Sequence, residues 1–138
     1  MKIDAPVRGQ DKHGSGAFGA PRGSRLHNGV DIACYAGSAV FSVADGEVTK
    51  IGYPYSPSNK KKGHLRYVQV TDTASNDARY FYVQPCVKVG DQVSDGQVIG
   101  ITQGLLKIYP GIIDHFHFEV LRDGKRINPK EYLPYLRG

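Results

Sequence analysis

Two stretches far apart in the chain carry side chains suited to binding a metal or moving a proton: His27-Asn28-Gly29-Val30-Asp31 and His115-Phe116-His117-Phe118-Glu119-Val120. In the second, polar and apolar residues alternate. An extended chain therefore projects His115, His117 and Glu119 to one face and Phe116, Phe118 and Val120 to the other. Burying two imidazoles and a carboxylate costs desolvation energy, which a divalent cation such as zinc would offset. In the first stretch Gly29 is expected to let the backbone turn tightly, so that His27 and Asp31, four positions apart, converge on one point. Adding His117 gives two nitrogens and one oxygen, a set that zinc accepts. Three protein ligands leave one tetrahedral position open for water, the arrangement of a catalytic rather than a structural zinc. Zinc lowers the pKa of bound water to about 7 and polarises carbonyl oxygens, so peptide hydrolysis is the natural reaction. His115, about 6.5 to 7 Å along the strand from His117, is placed as general base or transition-state donor. Glu119, on the same face, is placed as a residue that orients a ligand. His-x-His alone is a common surface pattern, and the upstream His-x-x-x-Asp gives it its weight.

The elements that must position these groups are mostly strands. Ala39 to Val43, Gly46 to Ile51, Arg66 to Thr71, Arg79 to Val83, Gln97 to Thr102 and His115 to Leu121 are rich in β-formers and bounded by Asp-Gly, Pro or Asn. Asp45-Gly46, Asp95-Gly96 and Asp123-Gly124 read as hairpin turns. The expected fold class is mainly β, a curled antiparallel sheet or two packed sheets. The glycine-rich run from Asp11 to Ser24 reads as a loop leading to His27, and its His13 could cover the cleft or add a ligand. Tyr53 to Gly63 reads as a second loop, with Lys60-Lys61-Lys62 as its solvated tip and His64 as a surface residue. Arg22 and Arg25 could grip a substrate carboxylate in a forked geometry or simply anchor the loop. Tyr109-Pro110-Gly111 reads as a turn on the cleft rim. A short helix is expected near Pro129 to Leu136.

Composition sets the frame. With 138 residues, 40% of them hydrophobic and 22% charged, residues 1–138 are expected to form a single domain with enough apolar side chains for a core. Eighteen Lys and Arg against thirteen Asp and Glu leave a net charge of +5, which suits an anionic partner such as a cell envelope. Nucleic acid is not expected, because no aromatic strip is interleaved with the basic residues and no recognition helix is evident. No apolar run approaches the roughly 18 residues of a membrane span, and Met1-Lys2-Ile3-Asp4 lacks the apolar stretch of a secretory signal. Export without a leader, or a leader already removed, is the expectation. Cys34 and Cys86 make no CxxC pair and are expected to be reduced thiols.

Three blocks in order, His27-x-Gly29-x-Asp31, then Val87-Lys88-Val89-Gly90-Asp91-Gln92-Val93 with Gly96-Gln97-Val98-Ile99-Gly100, then His115-x-His117-Phe118-Glu119-Val120, resemble the lysostaphin and LytM type of zinc endopeptidases. The resemblance runs from about Arg25 to Leu121. It implies a narrow zinc-containing groove over a mainly antiparallel β-sheet, related to the barrel-sandwich hybrid. It also implies His27, Asp31 and His117 as zinc ligands, His115 as catalytic, and the peptide cross-links of bacterial peptidoglycan as substrate. The site of action it implies is the cell wall, periplasmic or extracellular, and a bacteriophage or virion-associated origin fits a wall-lytic monomer. One position departs from the pattern. Where the family usually has Tyr-x-His-Leu, this chain has Tyr80-Phe81-Tyr82-Val83, so Tyr82 replaces a second active-site histidine. A phenol can donate to a developing oxyanion but accepts a proton poorly at neutral pH; a merely packed sheet aromatic is the plainer alternative. Asp11-Lys12-His13-Gly14, Phe81-Tyr82-Val83-Gln84-Pro85 and Lys107-Ile108-Tyr109-Pro110-Gly111-Ile112 also resemble the leukocyte cell-derived chemotaxins, animal secreted proteins of the same fold. That likeness implies, as the alternative, a catalytically silent zinc-binding recognition or signalling module. Val89-Gly90-Asp91-x-Val93 paired with Gly96-Gln97-x-Ile99-Gly100 further resembles the hairpins of lipoyl and biotinyl carrier domains. Those need a modifiable lysine, typically after methionine, and Met1 is the only methionine here.

Overall fold

The computed structural model describes Arg8 and residues 16–22, 25–26 and 28–132. Twelve strands follow one another: β1 (Pro21–Arg22), β2 (Arg25–Leu26), β3 (Val30–Ala33), β4 (Ala39–Phe41), β5 (Gly46–Gly52), β6 (Tyr67–Asp72), β7 (Asp77–Phe81), β8 (Val83–Pro85), β9 (Gln92–Val93), β10 (Val98–Thr102), β11 (His115–Arg122) and β12 (Lys125–Ile127). A single 3-10 turn, Lys130–Tyr132, is the only helical element among the described residues. It stands where the short helix was expected, and residues 133–136 of that expectation lie outside the described part. The mainly β, antiparallel fold class is as expected.

The larger sheet runs β12-β11-β7-β6-β5-β9, with β3 added along the first half of β11. A smaller sheet, β4-β10-β8, faces it, and all the strand pairs in both are antiparallel. Alternation in β11 sends Phe116, Phe118 and Val120 into the core between the sheets, where Ile32, Val68, Tyr80, Val83 and Ile99 are also buried. The Tyr80 and Phe118 rings meet at 5.2 Å, and the Val43 N–H donates to the Tyr80 hydroxyl at 3.0 Å. Complete burial of a side chain like Phe118 stabilises by about 2 to 3 kcal/mol, so β11 is held firmly from its apolar side.

Asp123-Gly124 forms the expected hairpin, joining β11 to β12 with φ of 53° and 74°. Asp45-Gly46 and Asp95-Gly96 do not form hairpins. Because β4 pairs with β10 and β9 with β5, each of these two links carries the chain from one sheet to the other. The expected strand Arg79 to Val83 is likewise broken. Tyr82 adopts φ of 69°, and the Tyr82 and Val83 N–H groups both donate to the Arg66 carbonyl, at 2.7 and 3.2 Å. This bulge separates β7 from β8 and lets the chain change sheets at Tyr82.

Candidate functional site

The site is built on the pairing of β3 with β11, whose register sets Asp31 directly opposite His117. Cross-strand neighbours on one face lie close enough for their side chains to touch. Here Asp31 Oδ1 is 2.8 Å from His117 Nδ1. Asp31 and His117 thus converge through strand register, while the expected convergence of His27 with Asp31 across Gly29 lies outside the described residues. Gly29 serves differently: a Cβ there would lie 2.2 Å from the Phe118 carbonyl oxygen and 2.9 Å from Glu119 Cβ. The glycine lets β3 lie close against β11.

His115, His117 and Glu119 share one face of β11, as alternation requires, but that face is not open to water. His115 and Glu119 are each only 4% exposed. His117 is clamped between carboxylates, Nδ1 on Asp31 and Nε2 on Glu119 Oε1 at 3.0 Å. Burial alone would lower the proton affinity of this imidazole, but the two carboxylates outweigh it and the pKa is raised. Burial opposes ionisation of Glu119 too, yet its hydrogen bond and charge interaction with His117, with Arg126 at 3.2 Å and Arg79 at 3.6 Å, hold its carboxyl below the usual range. His115 behaves oppositely. Its burial lowers the pKa despite the Asp31 charge, so the ring is neutral at pH 7. Nδ1 lies 2.8 Å from the Ile113 carbonyl oxygen, to which only a protonated Nδ1 can donate. That leaves Nε2 as the acceptor nitrogen, 3.5 Å from Asp31 Oδ2.

The bulge aims the Tyr82 ring at His115, with centroids 6.0 Å apart and planes at 78°. Tyr82 also packs on a small cluster of Leu65, Leu105 and Ile112, together with Tyr55 and Tyr109. Its hydroxyl is hydrogen-bonded to that of Tyr55, and burial, reinforced by Tyr55 and the Asp31 charge, raises its pKa well above the ordinary phenol value. Tyr82 is therefore both a packed aromatic and a protonated hydroxyl beside the histidines. Beyond it, the Tyr55 and Tyr109 hydroxyls are 3.4 Å apart, and Lys62 Nζ lies 4.9 and 5.0 Å from their ring centroids. Lys60 and Lys61 are exposed as expected, but Lys62 is not a solvated tip: its ammonium covers two aromatic faces. The Tyr109-Pro110-Gly111 turn does line this rim, and His64 is exposed.

His27 lies outside the described residues, as does His13. Arg22 and Arg25 pair across β1 and β2. Among the described residues no group of three or more His, Cys, Asp or Glu side chains is arranged to hold a metal ion. The donors that are described nevertheless fit a divalent cation. An imidazole nitrogen and a carboxylate oxygen face each other at 2.8 Å, and a second buried carboxylate takes the far side of the same imidazole. The arginines around these carboxylates, Arg8, Arg79 and Arg126, were not anticipated. Arg79 and Arg126 stand on β7 and β12, and only the strand register brings them to Glu119.

Over 118 residues the chain is 32% identical to leukocyte cell-derived chemotaxin-2 of Bos taurus, covering 86% of this chain and 75% of that protein. It is 29% identical over 107 residues to the peptidoglycan DD-endopeptidase ShyC of Vibrio cholerae, covering 77% of this chain but only 22% of ShyC. Among solved structures it resembles a zinc-containing peptidase from Vibrio cholerae with a TM-score of 0.59 and 27% identity, over 92% of this chain and 35% of that one. The model of peptidase family M23 matches residues 25–129, a span holding both strands that carry the Asp31–His117 contact, and the chain belongs to that family.

Proposed function

We propose that the protein is a zinc-dependent metalloendopeptidase that hydrolyses peptide cross-links of bacterial peptidoglycan. The observation that carries this reading is the convergence of Asp31, His115 and His117, with His115 neutral and its acceptor nitrogen turned toward Asp31. His27, Asp31 and His117 would hold the ion, which supplies Lewis acidity and a more acidic water when bound. His115 Nε2 accepts a proton from the attacking water and returns it to the leaving amine as the C–N bond breaks. Glu119 keeps the His117 ring in one orientation by accepting from Nε2, leaving Nδ1 as the ligand nitrogen. Tyr82, whose hydroxyl stays protonated at neutral pH, donates to the developing oxyanion. The similarity to ShyC supports a peptidoglycan substrate, and with it action at the cell wall. A single domain of residues 1–138 acting as a monomer, of bacterial or bacteriophage origin, completes the proposal.

A second reading has its own support. Tyr82 stands where a histidine is usual, and the chain is similar to chemotaxin-2. On that reading the same scaffold binds zinc without turning over a substrate. Incubating zinc-loaded protein with sacculi from Gram-negative and Gram-positive cells, followed by mass analysis of released muropeptides, separates the two. The peptidase exposes new amine ends without cleaving glycan, and His115→Ala abolishes them while retaining zinc. Intact sacculi with every preparation leave the binding module.

A further inference from the structure

The Asp31 carboxylate has two oxygens, and the structure gives them different neighbours. Oδ1 faces His117 Nδ1 at 2.8 Å, whereas Oδ2 takes the Arg8 Nε–H at 2.9 Å, with both the guanidinium and the carboxylate almost wholly buried. The backbone ties Arg8 in place. Arg8 N donates to the Asp31 carbonyl at 2.5 Å, Asp31 N donates to the Gly16 carbonyl at 2.8 Å, and Gly16 N donates to the Arg8 carbonyl at 3.0 Å. Three segments thus close a ring of main-chain hydrogen bonds around one ion pair. Gly16 is the residue that lets them approach so closely, because a Cβ there would stand 2.5 Å from Arg8 Cβ and 3.0 Å from Asp31 Cβ.

We propose that Arg8 is a positioning residue for the metal site: by occupying Oδ2 it presents Asp31 as a one-oxygen ligand through Oδ1 and fixes that carboxylate's rotation before metal arrives. This rests on the zinc reading given above. The arginine suits the task because its charge is permanent and its planar N–H groups hold a carboxylate in a defined direction. Without Arg8, Oδ2 would keep only its longer approach to His115 Nε2 at 3.5 Å and would be held less firmly, so that a bound cation could take both carboxylate oxygens.

The test measures zinc affinity by competition with a fluorescent chelator, together with the visible absorption of the cobalt(II)-substituted protein, for wild type, Arg8→Gln and Arg8→Lys. Partners that orient a metal ligand typically contribute 10- to 100-fold in affinity, so Arg8→Gln is expected to weaken zinc by about that factor. Its cobalt(II) bands should weaken as the coordination number rises. Arg8→Lys keeps the charge without the planar donor, and should recover stability in urea while leaving the cobalt(II) spectrum altered. Unchanged affinity and spectra in both variants overturn the proposal, and tighter zinc binding by Arg8→Gln does so too, since Arg8 would then compete with the metal for Asp31. If Arg8→Gln does not fold, Arg8→Lys decides through the same two measurements. A wild-type protein that binds neither ion overturns the metal reading itself, whereas zinc binding without hydrolysis leaves the Arg8 assignment standing.

Discussion

Replacing Gly29 by Ala tests whether the site depends on how closely β3 approaches β11. The new methyl carbon would start 2.2 Å from the Phe118 carbonyl oxygen and 2.9 Å from Glu119 Cβ, both on the strand that carries His117. Real contacts of this kind do not fall below 3.0 Å, so the strands must part by at least about 0.8 Å. Overpacking of a buried contact costs about 1 to 3 kcal/mol, and each strained inter-strand hydrogen bond adds about 1 kcal/mol. A loss of about 2 to 4 kcal/mol follows, which at an m-value of about 2 kcal/mol/M lowers the urea midpoint by roughly 1 to 2 M. The same movement stretches the 2.8 Å contact of Asp31 with His117, so zinc affinity should fall together with stability. Gly124→Ala is the control. It too is strained, with φ of 74°, but its Cβ would meet nothing within 4 Å, so it should cost about 1 kcal/mol and leave zinc affinity unchanged. A Gly29→Ala protein with wild-type urea midpoint and zinc affinity refutes the reasoning.

Three further outcomes are expected. Tyr82→Phe should lower kcat on sacculi or a model peptide by on the order of 10²-fold with little change in KM, as for loss of one oxyanion donor; equal turnover would leave Tyr82 a packing residue only. Zinc binding below pH 6.5 should release a proton from His117, because its raised pKa keeps the metal-free ring mostly protonated there and a ligand nitrogen must be neutral. Calorimetry in buffers of different ionisation enthalpy should show this release shrinking as pH rises through the folded-state pKa. By linkage the metal-free protein gains stability from His117 below the unfolded value of 6.5 and loses it as pH climbs through the raised one, so its thermal midpoint should decline across that interval. Cys34, whose thiol burial pushes up to about 11, should react with iodoacetamide at pH 8 more slowly than exposed Cys86, as peptide mapping would show.

How much could be read without coordinates depended on whether a residue's neighbours are local. β11 was legible because its two faces have opposite chemistry, and alternation alone assigned His115, His117 and Glu119 to one side. β3 was not, since Val30, Asp31 and Ile32 are all buried and no polar face marks the strand. Strand register, which no local motif encodes, is what sets Asp31 opposite His117. The expected strand through Tyr82 failed because nothing in Phe81-Tyr82-Val83 announces left-handed backbone, which tyrosine rarely adopts and which tertiary contacts impose here. Arg8 had no signal at all. It reaches Asp31 across a separation of 23 residues, with no motif linking them.

Because successive residues of β11 belong in turn to the apolar interior and to the polar face, His115, His117 and Glu119 stand on a strand whose other side is buried. Their backbone is held still by packing, so a ligand meeting that face need not first order the strand. The rim is built differently, since Tyr55, Lys62 and Tyr109 sit on connecting segments. Such segments tolerate exchange more readily than packed strands, so variation in what this face meets falls first on the rim.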